Sequence, residues 1–112
     1  DVEQALCAGE HHPARAFAVN AEACENAAAI FRALGDPQRL RLLILLEAGR
    51  CCVSEIAEAL GEPLPAISQR LRILKSERIV QSRREGKHIF YALADEHISR
   101  LVINGVMHAM ET

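Results

Sequence analysis

The sequence predicts a mainly α-helical domain carrying a single β-hairpin, and three observations predict it. Apolar residues recur at three- and four-residue spacing along most of the chain beyond residue 13, the period of helices that bury one face. Two of these stretches are short and break at Gly61: Val53, Ile56, Ala57 and Leu60, then Ile67, Leu71 and Leu74. Residues 79–93 then change period, with two β-favouring segments around a charged turn containing Gly86. At 112 residues the chain fits one domain with one core. No apolar run approaches the ~20 residues of a membrane span, and the acidic start lacks a basic-then-apolar leader. A soluble cytoplasmic protein without membrane partners is therefore the expectation.

Taken in order, residues 1–13 hold Cys7, Gly9, His11, His12 and Pro13 with little periodicity, and read as a mobile arm able to order around a ligand. The domain proper spans 14–112. Its Ala-rich opening, 14–34, places Phe17, Ile30, Phe31 and Leu34 among small residues, consistent with one or two packed helices in which Cys24 is a small buried residue. Asp36 caps and Pro37 opens the next helix, with Leu40, Leu43, Ile44 and Leu46 as its apolar stripe and Gly49 ending it.

The two short helices either side of Gly61 have a helix-turn-helix layout. Ser54 is a candidate cap or first-turn residue of the first, and Pro63 and Pro65 fit only the first turn of the second. That second helix, about 64–77, would expose Ser68, Gln69, Arg70 and Arg72, side chains suited to base edges and phosphates. A hairpin directly after such a unit is a wing, and Arg83, Arg84 and Lys87 at its tip would reach phosphates or the minor groove. His88 reads as a polar residue on the wing's exposed face.

Charge supports the same partner. The formal net charge is -2, yet residues 68–88 carry Arg70, Arg72, Lys75, Arg78, Arg83, Arg84 and Lys87 against only Glu77 and Glu85. A basic stripe on an otherwise acidic small protein suits DNA. The plainer alternative is an ordinary helical hairpin with a solvated charged face.

The C-terminus holds a second constellation. Ile98, Leu101, Val102, Gly105 and Ala109 predict one helix over about 96–110, capped by Asp95. His97 and His108 share a face of it but stand roughly 16 Å apart at 1.5 Å per residue. Zinc ligands lie about 2 Å from the metal. Asp95, His97, His108 and Glu111 therefore form one tetrahedral shell only if an antiparallel second copy of the helix brings His108 and Glu111 beside Asp95 and His97. The spacing predicts a two-fold homodimer with two equivalent sites. The competing reading makes the histidines polar edges of a packing helix and Asp95 only a cap. The cysteines, Cys7, Cys24, Cys51 and Cys52, lack the spacing of a secreted disulfide framework; in a reducing compartment metal binding or redox sensing competes with burial to explain them.

With Cys51-Cys52-Val53-Ser54-Glu55, the helix-turn-helix, the wing and the Asp-x-His and His-x-x-Glu helix in this order, residues 28–112 resemble the ArsR/SmtB family of metal-sensing repressors. The resemblance implies a winged helix-turn-helix homodimer, paired through its N- and C-terminal helices, that binds palindromic operator DNA when metal-free and releases it on binding metal, derepressing efflux or sequestration genes. It implies an inter-subunit zinc site of Asp95 and His97 from one protomer with His108 and Glu111 from the other. A second site, joining the arm to the first helix of the DNA-binding motif, would use Cys7, His11, Cys52 and Glu55, with Cys51 or His12 as alternatives. Ser54 stands where members that favour cadmium or lead add a thiolate. Imidazole and carboxylate donors suit zinc or cobalt, so Zn(II) is the expected ion, with Cd(II) or Pb(II) secondary.

In the expected mechanism Ser68, Gln69 and Arg70 read bases, and zinc fixes the last helices in an orientation that no longer matches two half-sites. His108 would pass the signal to the end of the recognition helix near Arg78. A thiol-based redox or sulfide-sensing repressor on the same fold is the nearest alternative. A zinc enzyme is remote, because no His-Glu-x-x-His and no evident general base accompany the ligands, and no enzymatic activity is expected.

Overall fold

The computed structural model describes residues 20–111. The expected arm, and with it Cys7, His11, His12 and Phe17, lies outside the described residues. Five helices and a three-stranded sheet follow in the described part: α1 (Ala21–Leu34), α2 (Pro37–Glu47), β1 (Cys51–Cys52), α3 (Val53–Leu60), α4 (Leu64–Ser76), β2 (Val80–Glu85), β3 (His88–Leu93) and α5 (Glu96–Met110).

Local chemistry sets the helix ends. Asn20, Asp36 and Asp95 each accept a hydrogen bond from the backbone N–H three residues on, at 3.0, 2.9 and 3.0 Å, which satisfies a donor that the first turn leaves unpaired. The cap of α3 is Cys52, two residues before Ser54, which takes the first-turn place among its two expected roles: the Cys52 N–H donates to the Glu55 carboxylate at 2.8 Å, the returning half of a capping box. Pro63 caps α4 and Pro65 sits in its first turn. Gly61 ends α3 with φ 67°, left-handed backbone that an L side chain adopts only at a cost. Arg78 takes φ 60° just past α4, and the Ile79 N–H reaches the Leu74 carbonyl at 2.9 Å, closing that helix without a glycine.

The sheet order is β1-β3-β2, both pairs antiparallel. The hairpin matches the expected wing. Gly86, φ 63°, occupies the first central position of its two-residue loop, as in a type II′ turn. The third strand was not expected. Cys51 pairs with Tyr91 and Cys52 with Phe90, so the residues just before the helix-turn-helix are stitched to the wing.

One core joins all the helices to the base of the wing, with Leu42, Leu43, Ile56, Ile67, Leu71, Leu74, Ile79 and Val102 fully buried. Within α2 the buried stripe is Leu42, Leu43 and Leu46, while Ile44 is 42% exposed, so the expected stripe was rotated by about half a turn at one position. Cys24 is exposed on α1, contrary to the small buried residue expected, because the N-terminal half of that helix projects past the core.

A polar contact ties α5 to α2: the Ser99 hydroxyl donates to Glu47 Oε1 at 2.8 Å, while Oε2 is buried without a partner. Replacing Ser99 with Ala removes the one donor this carboxylate has among the described side chains. We expect a loss of about 1–3 kcal/mol by urea denaturation, with Glu47→Gln/Ser99→Ala recovering part of it because the amide carries no charge to desolvate.

Candidate metal and nucleic-acid sites

Asp95 and His97 stand at the N-terminal end of α5. His97 Nδ1 lies 3.6 Å from Asp95 Oδ1, and both side chains are more than half exposed. Asp95 uses Oδ1 for its cap, which leaves Oδ2 for another partner. His108 and Glu111, both exposed, are at the opposite end of the same helix. A single chain therefore brings Asp95 to His97 but neither to His108 or Glu111, and among the described residues no three His, Cys, Asp or Glu side chains converge as a metal shell. The donor set, two imidazoles and two carboxylates, fits zinc.

Between those ends, α5 buries only Ile98 and Val102. Leu101, Val102, Gly105, Val106 and Met110 instead line a groove of about 490 Å³ against Phe31, Leu34 and Leu40. Phe31 and Met110, which line this groove, are 57% and 77% exposed, a large apolar surface for a helix pair that faces only water, and Met107 on the same helix is 58% exposed. Of the stripe that the sequence marked, Ile98 and Val102 are buried within one chain, whereas Leu101 and Gly105 remain exposed.

The second candidate shell is represented by Cys52 and Glu55 alone. Cys52 is buried with Sγ 3.2 Å from the Ser54 hydroxyl, and Glu55 is committed to the Cys52 N–H, a bond that holds its carboxyl below the usual range. Cys51 is half-buried, and that burial, followed by Glu55 and Cys52 nearby, pushes its thiol up.

Of the candidate DNA-binding residues, Ser68, Gln69 and Arg72 are exposed along α4, and Arg83, Arg84 and Lys87 are exposed on the wing. Arg70 departs from the expectation. Its guanidinium makes a two-pronged pair with Glu62 at 2.7 and 2.8 Å, and the two side chains keep only 18% and 22% of their surface. It sits one residue before the buried Leu71, and its bond to Glu62 braces the turn between α3 and α4. The hydrogen bond with Arg70 holds the Glu62 carboxyl below its ordinary range. A lowered folded-state value means the pair's contribution is complete above the unfolded glutamate value of ~4.3 and is lost as pH falls through the folded value. Comparing urea midpoints at about pH 6 and about pH 3, we expect Glu62→Gln to be less stable than the parent at the higher pH and the difference to shrink at the lower.

Arg50 was not singled out by the sequence. It pairs with Glu85 on the wing, and its guanidinium lies 4.4 Å above the Phe90 ring. Lys75 Nζ donates to the Ser82 hydroxyl at 2.7 Å. The wing is thus fastened both to the strand before α3 and to the recognition helix. Nothing in the linear sequence links Arg50 to Glu85; only the β1-β3-β2 order brings them together.

Residues 36–82 match the family described as bacterial regulatory protein, arsR family. The chain is 36% identical over 111 residues to the HTH-type transcriptional repressor SmtB of Mycobacterium tuberculosis, covering 92% of this chain and 82% of that one. It is 34% identical over 87 residues to a cadmium resistance regulatory protein CadC homolog of Staphylococcus aureus, covering 77% and 72%. Its fold is similar to the homodimeric winged helix-turn-helix DNA-binding domain of a possible ArsR-family regulator from Mycobacterium bovis, with a TM-score of 0.75, 33% identity and coverage of 92% and 90%. These relatives are DNA-binding regulators, not enzymes, and no helix among the described residues is long and apolar enough to cross a membrane. The helix-turn-helix, its wing and these likenesses together establish that the chain belongs to the ArsR/SmtB family of metal-sensing transcriptional repressors.

Proposed function

We propose that this protein is a zinc-released repressor: a homodimer that holds palindromic operator DNA when metal-free and lets go when Zn(II) joins Asp95 and His97 of one protomer to His108 and Glu111 of the other. The carrying observation is that these two pairs sit, exposed, at opposite ends of one helix whose intervening face is apolar and uncovered. A second, antiparallel α5 satisfies both facts at once. It buries the apolar groove and completes each half-shell. Gly105 favours the close approach of the two helices, since no atom outside its own helix lies within 4 Å of where its Cβ would stand.

In this reading Ser68, Gln69 and Arg72 face bases and phosphates, Arg83, Arg84 and Lys87 hold the flanking backbone, and Arg70 braces the reader. Zinc fixes the relative orientation of the two C-terminal helices and so the separation of the two recognition helices. Metal and DNA then oppose each other by one shared coupling free energy.

A cobalt titration tests the shell. We expect Co(II) to bind with the visible d–d bands of a tetrahedral site and without intense near-ultraviolet thiolate charge transfer, and zinc to abolish the retarded band in a gel shift. Strong thiolate bands would move the metal to Cys52, with Cys7, His11 and Glu55, and favour cadmium or lead over zinc. The redox alternative draws less support from the thiols. Cys52 is buried and the Cys51 thiol is pushed up, whereas a redox sensor presents an accessible thiolate. Release by oxidant and not by zinc would reverse that preference.

A further inference from the structure

We propose that the leading turn of the recognition helix reads thymine, through apolar contact of Leu64 and Pro65 with the C5-methyl groups of the major groove. The inference rests on the DNA-binding fold of the family and not on the zinc reading. Pro63, Leu64 and Pro65 are all exposed where α4 begins, Leu64 by 51% although it is a large apolar side chain. A helix-turn-helix presents these first residues to base edges.

The chemistry of that turn is unlike an anion-binding helix start. The two prolines have no N–H to offer a phosphate. The nearby carboxylate, Glu62, is occupied by Arg70, and the same pair withdraws the guanidinium that would otherwise bond to guanine. Leu64 is one helical turn before Ser68, and Pro65 is one turn before Gln69 and about two before Arg72, so the apolar pair continues the row of exposed polar readers. A polar row that ends in an apolar step fits a base edge whose distinguishing group is a methyl, and in the major groove only thymine displays one.

The test uses a duplex selected by the full chain from a random-sequence library in the presence of a chelator. It is then prepared with thymine, or with uracil at one position at a time, and binding is read by fluorescence anisotropy. Removing one buried methyl is expected to weaken binding about fourfold at one or two symmetry-related positions per half-site and negligibly elsewhere. Leu64→Ala, at an exposed position, is expected to keep the parent's circular dichroism spectrum, to bind the thymine duplex several-fold less tightly, and to lose the discrimination against uracil at its position. Pro65→Ser does the same at the neighbouring position. The proposal is overturned if uracil is neutral throughout, if its cost is unchanged in both variants, or if the selected half-sites contain no thymine. Failure to select any sequence would overturn it together with sequence-specific recognition itself, whereas a selected site indifferent to uracil overturns this proposal alone.

Discussion

We expect His108→Ala to retain metal-free operator binding and, on the proposed zinc shell, to lose its release by zinc. His108 is exposed at the far end of α5, makes no contribution to the buried core and lies on no DNA-facing element, so its loss leaves the metal-free dimer and its affinity for DNA in place. What it would remove is a donor of the proposed shell. Coupling between two ligands of this kind typically amounts to ~1–3 kcal/mol, or roughly 5–150-fold in DNA affinity, and the variant should forfeit all of it. His97→Ala should behave identically, since the two histidines would complete the same shell from different protomers. Anisotropy titrations of operator with and without zinc measure both quantities. Full release of the His108→Ala protein by zinc would exclude the C-terminal shell as the switch, and Cys52→Ser would then become the informative variant.

We expect Leu71→Ala to cost more stability than the surface changes proposed above. Leu71 is 1% exposed and lies on the buried face of α4 with Ile67 and Leu74, so truncation removes core contacts and leaves a cavity beneath that helix. The expected cost is about 2–5 kcal/mol, against a total stability on the order of 5–15 kcal/mol for a domain. Each kilocalorie lowers Tm by roughly 4–8 °C in a chain of this size. Ile73→Ala, on the same helix but 36% exposed, provides the comparison and should shift Tm far less. Scans at several protein concentrations separate this loss from any change in dimerisation, because a dimer's Tm rises with concentration.

Much of the architecture was legible because the signals were local. The Gly35-Asp36-Pro37 break, the Gly61 turn, the Gly86 hairpin loop and the Asp95 cap each act within four residues, and each appears where the sequence placed it. The bounds of α5 coincide with the expected 96–110 for the same reason. Errors occurred where a helix is apolar on several faces. In α2, Leu40, Leu42, Leu43, Ile44, Leu45 and Leu46 offer more than one stripe, so periodicity could not choose, and packing against α5 and the sheet selected Leu42 over Ile44. Strand β1 was missed because two residues carry no period; it exists only through its ladder with β3.

The candidate sites divide in the same way. Composition and spacing alone singled out Asp95, His97, His108 and Glu111, and the rise of a helix alone dictated that one chain cannot close a shell around them. The basic stripe and the order of helix-turn-helix and hairpin likewise pointed to DNA as the partner without coordinates. Three things were decided only by tertiary structure: that Arg70 is a brace held by Glu62, that Arg50 fastens the wing, and that the apolar face of α5 remains uncovered in a single chain. The physical reason is range. Caps, turns and helical period follow from neighbours along the backbone, whereas the partner of a long charged side chain, or the exposure of an apolar one, follows from which distant segments the core brings beside it.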